Sequence, residues 1–193
     1  MSGHMDSVKL KIGGHPVTFS KSPTLVAMRA KPAGIGRAMA SSADVGLIPA
    51  NRALGSFQLL KSDDSKADGI EDQLDALRHN SDVAVGTHVF HTSDDGVPFV
   101  PNGDIYITYA DEASPQQRQE VLDKLGLEVL RSSGERKLVV RVTSTSPNPM
   151  KVAATLQSLP YVKSAEPDLL TPGKLAAFAL PSDELLNLSL IHI

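Results

Sequence analysis

The apolar positions along the chain alternate over short runs and recur at helical spacing in others, so the pattern predicts short strands interleaved with short helices. In Val8–Phe19 (VKLKIGGHPVTF) two alternating runs flank Gly13-Gly14, which predicts a β-hairpin. Residues 25–29 (LVAMR) read as a strand, 35–42 as a short helix and 57–60 (FQLL) as a strand. Residues 30–56 are rich in Ala, Gly, Ser and Pro, and the pattern there resolves only coarsely. After a polar, acidic loop at 62–68, Ile70, Leu74 and Leu77 fall at i, i+4 and i+7 on one helix face. Val83–Thr92 returns as a strand, and Asp94-Asp95-Gly96 signals a turn.

The second half is clearer. Residues 104–109 (DIYITY) alternate, with Ile105 and Ile107 on one face. Ser114, Pro115 and Gln117 have the N-cap, N1 and capping-box spacing of a helix start. Val121, Leu122 and Leu125 supply its apolar stripe, and Gly126 stops it. Residues 127–131 and 137–142 read as strands joined through 132–134. Asn148 and Pro149 open a helix with Val152, Leu156 and Leu159 on its apolar side, ended by Pro160. Residues 162–166 form the last predicted strand, stopped by Pro167.

The order β-α-β-β-α-β over 104–166 is the ferredoxin-like split βαβ motif. Residues 74–90 align loosely with 154–170, each a helix end, a short turn and a strand. The 104–166 unit is expected to place its two helices on one face of the sheet and leave the other open, and the expected fold class is α+β: two tandem ferredoxin-like (βαββαβ) units, antiparallel sheets with helices on one face. The expected boundaries are a hairpin with a possible tag at 1–21, a first module at 22–99, a second at 100–170, a linker at 171–187 and a terminal hexapeptide at 188–193. Residues 1–5 (MSGHM) fit a vector-derived leader before a natural start at Met5.

Charge and composition narrow the function classes. The net charge of −3 offers no basic footprint for a phosphate backbone, and 4% aromatics offer no stacking platform, so no nucleic acid is expected as a partner. No apolar run approaches the length of a membrane span and no apolar leader is visible, so no membrane partner is expected either. Without Cys there are no disulfides, thiolate metal sites or Cys nucleophiles. No G-x-S-x-G elbow is present.

His88 and His91 sit at odd spacing on one strand, which places them on opposite faces as surface histidines and poor joint ligands. Gly34-Ile35-Gly36 lacks the third glycine of a dinucleotide loop and reads as a flexible connector. The acids Asp63, Asp64, Asp68, Glu71, Asp72 and Asp75 lack calcium-loop spacing and read as a solvated helix start. No catalytic group, metal or cofactor is expected, and the chain by itself is read as non-enzymatic.

The sharpest signal is LQSLPYVKSAEPDLL at 156–170. Leu156, Pro160, Val162, Ala165, Glu166, Pro167 and Asp168 follow the ending "L-x-x-x-P-x-V-x-x-A-E-P-[ND]", and through them residues 104–170 resemble the propeptide of subtilisin-like serine proteases. Pro181, Asp183, Leu185 and Leu186 resemble the start of that family's mature enzyme, but its Gln-Trp pair does not follow, and 188–193 (LSLIHI) resembles a translated sequencing adapter.

The resemblance implies an intramolecular chaperone and temporary inhibitor. Its partner is a subtilisin-like catalytic domain in cis, carrying the catalytic Asp/His/Ser set downstream in a secreted or cell-envelope enzyme. Glu166 and Asp168 are two apart and point the same way in an extended chain, so they are expected, with Pro167 between them, to cap two helix N-termini of the protease. Leu175, Ala176, Ala177, Phe178, Ala179 and Leu180 are expected to run through the cleft as a substrate-like strand. Two other readings stand beside this one: a small-molecule regulatory module of paired units, and a stand-alone subtilase inhibitor.

Overall fold

The computed structural model describes residues 7–63, 69–92 and 96–172. Over these residues the chain is α+β, with nine strands, four α-helices and one 3-10 turn. Two compact units divide it. Among the described residues one comprises Ser7, Ser20–Val100 and Leu170–Pro172; the other comprises Val8–Phe19 and Pro101–Leu169.

The first unit runs from β2 (His15–Ala30, from Ser20 onward) through α1 (Ile35–Asp44), β3 (Leu47–Leu54), β4 (Phe57–Ser62) and α2 (Ile70–His79) to β5 (Val83–Thr92). Its strand order is β3-β4-β2-β5, and β4 lies antiparallel to both β2 and β3. The sequence pattern separates the hairpin arm from 25–29, yet β2 is one strand that passes through Pro23. Ser22 makes this possible: its Oγ accepts from the N–H groups of Thr24 (3.4 Å) and Leu25 (3.0 Å), replacing ladder bonds that the proline interrupts.

β3 carries no regular alternation for a related reason. It contains Pro49, a register shift between Pro49 and Ala53, and Asn51 at φ 51. The glycine pair at 34–36 is not a loose connector. Gly34 closes the 3-10 turn Pro32–Gly34, and a Cβ there would stand 2.5 Å from Asp82 Oδ1.

Both faces of this first sheet are buried. Val26, Met28, Leu47, Leu60 and Val83 pack under Ala38 of α1 and Leu74 and Leu77 of α2. On the opposite side Ala27, Leu54, Phe57, Leu59, Val89 and Val100 form a second cluster, joined by Leu170. The Arg29 guanidinium lies 5.0 Å from the centre of the Phe57 ring.

The second unit contains β6 (Pro98–Tyr109, from Pro101 onward), α3 (Pro115–Leu125), β7 (Leu127–Ser133), β8 (Lys137–Val142), α4 (Pro149–Gln157) and β9 (Val162–Leu170, to Leu169). It also contains the hairpin of β1 (Ser7–Ile12, from Val8) and the first residues of β2. The strand order is β9-β6-β8-β7, with β8 antiparallel to both β6 and β7.

The predicted caps form. The Gln117 N–H donates to Ser114 Oγ (3.1 Å), and the Ser114 N–H donates to Gln117 Oε1 (2.9 Å). Gly126 closes α3 in the left-handed region at φ 64, and Asn148 accepts the Met150 N–H (2.9 Å) at the start of α4. Ile105, Ile107, Tyr109 and Val140 face Val121, Leu122 and Leu125 of α3 and Val152 and Leu156 of α4, so both helices cover one face.

β9 does not stop at Pro167 but continues to Leu170. A proline costs a ladder bond only where its missing N–H faces a partner strand, and β9 is the end strand of this unit's order.

Candidate functional site

The face of the second sheet away from the helices is built by alternation. Ile105 and Ile107 point to the core, so Asp104, Tyr106 and Thr108 point the other way. Their antiparallel partners on that face are Arg141, Val139 and Lys137, and next to these on β7 lie Glu128, Arg131 and Ser133. Glu128, Arg131, Ser133 and Arg141 are exposed, so the β7–β8 side of the face meets solvent. Arg141 grips Asp104 with two bonds, Nε to Oδ1 (2.7 Å) and Nη2 to Oδ2 (3.0 Å).

The motif at 156–168 divides between the two sides. Leu156, Val162 and Ala165 are buried in the helix-side core. Glu166 and Asp168 alternate with Ala165 and Pro167 along β9, which puts them on the opposite face of the strand. Pro167 between them is buried.

Each acid already holds a partner within the unit. Gly13, at the turn of the β1–β2 hairpin, donates its N–H to Glu166 Oε1 (3.0 Å). Asn102 donates from Nδ2 to Asp168 Oδ2. Burial pushes both carboxyl pKa values above the ordinary range, and the bonds from Gly13 and Asn102 offset this in part. Tyr106, close to Asp168, is raised as well, chiefly by burial and then by the charge of Asp168.

Two residues of this arrangement escape the sequence reading. Asn102 sits in an Asn-Gly pair where Gly103 takes φ 108, and its Oδ1 also accepts the Asp104 N–H (2.8 Å). The signal was present: Asn-Gly inside an apolar run marks a local kink. Gln157, the last residue of α4, spans three segments. Its Oε1 accepts the Lys11 N–H (2.7 Å), and its Nε2 donates to the carbonyls of Lys11 (2.8 Å) and Ala165 (2.7 Å). Nothing in local sequence announces such a bridge.

Compared with protein-family models, curated proteins and solved structures, the chain finds no match.

The remaining candidates are placed as follows. His88 is buried rather than superficial, because it lies under α2 with Nε2 3.3 Å from Glu71 Oε2, and Lys21 Nζ donates to the other oxygen of Glu71 (3.1 Å). His91 is partly buried, with Nδ1 3.0 Å from the Gly96 carbonyl oxygen. Glu71 and Asp72 occupy the first turn of α2, as expected of acids facing a helix dipole. Among the described residues no three His, Cys, Asp or Glu side chains converge as a metal site, and no helix is long and apolar enough to cross a membrane. Leu175, Ala176, Ala177, Phe178, Ala179 and Leu180 lie outside the described residues, as do residues 1–5, Asp64, Asp68 and 188–193.

Proposed function

We propose that the second unit docks on a subtilisin-like catalytic domain as a temporary inhibitor and folding chaperone. In this reading each unit is a ferredoxin-like module. Two facts support that assignment: apart from the added β1–β2 hairpin of the second unit, each runs β-α-β-β-α-β, and their strand orders, β3-β4-β2-β5 and β7-β8-β6-β9, correspond term by term.

The observation that carries the function is the pair of acids at the end of β9. Glu166 and Asp168 share the face that the helices leave uncovered, and each uses one oxygen within the chain. A carboxylate accepts more than one hydrogen bond, so the remaining capacity of each suits the N–H groups at a helix N-terminus, where the partial positive charge favours an anion. The chain beyond Leu170 then enters the cleft as an extended strand and blocks it.

The test adds the purified chain to subtilisin and follows peptide hydrolysis. The wild-type chain slows hydrolysis, and the double variant Glu166→Ala/Asp168→Ala inhibits about tenfold more weakly, the scale of two helix-terminus charge interactions. Equal inhibition by the two chains removes the capping role. No inhibition by either removes the docking reading.

A further inference from the structure

We propose that Gln157 is a positioning residue for docking, holding the β1–β2 hairpin against β9 so that the Gly13 N–H fixes the carboxylate of Glu166. This rests on the docking reading above. The geometry is specific. The Gln157 amide pairs with both the N–H and the carbonyl of Lys11, as a neighbouring strand would, and reaches the carbonyl of Ala165 at the same time. Ala165 is adjacent to Glu166, and Lys11 lies two residues before Gly13.

One side chain thus ties the hairpin arm to the strand that carries the acid, and the hairpin's turn returns a hydrogen bond to that acid at 3.0 Å. Gly13 is at φ 57, a conformation open to glycine at little cost, which lets the turn direct its N–H towards β9. A long acid side chain left free samples several rotamers; holding one oxygen removes much of that entropy before the partner arrives.

The consequence is a coupling between two residues that do not bond to each other. Gln157→Ala frees the hairpin while keeping a good helix former at the end of α4. It is expected to weaken inhibition of subtilisin about fivefold in the wild-type background and less than about twofold in the Glu166→Ala background. Gln157→Glu keeps the acceptor for the Lys11 N–H but loses both donors, and is expected to behave like Gln157→Ala. Amide exchange at Gly13 should quicken in both variants, while tyrosine fluorescence stays native. Equal weakening with and without Glu166, or unchanged exchange at Gly13, overturns the positioning role and leaves the docking reading standing. A wild-type chain that does not inhibit overturns both.

Discussion

At the scale of single residues, the chemistry of the candidate site is that of carboxylates kept partly out of water. Asp168 is raised by burial and only partly offset by Asn102, so the folded state holds its proton to higher pH than the unfolded chain does. Between the ordinary aspartate value, about 3.9, and the higher folded value, the native state binds more protons than the unfolded state. The slope of stability against pH is therefore negative there. The contribution of this group is fully present below the unfolded value and lost as pH rises through the folded one. Asp168→Asn keeps the shape and an acceptor for Asn102 but removes the titration. Its Tm is expected to exceed that of wild type at pH 7, with the gap closing towards pH 4. A gap that stays constant over that range means that Asp168 does not titrate differently in the folded state. Glu166 is raised in the same direction for the same first cause, so the two acids of the site act alike.

At the scale of elements, what the sequence made legible was what local rules decide. α3 is the clearest case, because Ser114, Pro115, Gln117 and Gly126 each take the cap geometry that their types and spacing predict. Gly126 carries a second duty that no spacing reveals: a Cβ there would stand 2.7 Å from Thr145 Oγ1, and its carbonyl accepts from the hydroxyls of Thr143 (2.8 Å) and Ser146 (2.7 Å). Gly126→Ala is therefore expected to cost about 2 kcal/mol, from the positive φ and the displaced loop together, against about 1 kcal/mol for Ser114→Ala, which loses a cap alone. Urea denaturation measures both, and a smaller loss for Gly126→Ala than for Ser114→Ala contradicts this account. What stayed hidden was decided by tertiary partners. β2 and β9 cross prolines because Ser22 replaces lost bonds and because β9 ends its unit's strand order. The acids of β9 stand out in the motif, whereas Gln157, inside the same motif, gains its role only from Lys11, 146 positions away, and Gly13 reaches Glu166 across 153 positions.

At the scale of the whole chain, the proposed role makes a demand on folding. A chaperone must be folded before its client, and the second unit has the means: two helices with satisfied starts over a core of Ile105, Ile107, Val140, Leu156 and their neighbours. All three tyrosines, Tyr106, Tyr109 and Tyr161, belong to this unit, so tyrosine fluorescence reports its folding specifically. Leu156 is fully buried, and Leu156→Ala is expected to lower stability by about 2–5 kcal/mol in a urea titration followed by that fluorescence. An α/β catalytic domain rich in non-local contacts folds slowly, and a pre-folded surface that binds its helices favours the compact transition state. Subtilisin catalytic domain diluted from denaturant with the wild-type chain should therefore recover more activity, once the inhibitor has been digested, than without it. Leu156→Ala, assayed at a urea concentration that unfolds only the variant, should give no recovery above the control. Glu166→Ala/Asp168→Ala should remain folded and still recover less than wild type. Equal recovery by this double variant and wild type would assign chaperoning to the rest of the sheet face, where Glu128, Arg131, Ser133 and Arg141 are exposed.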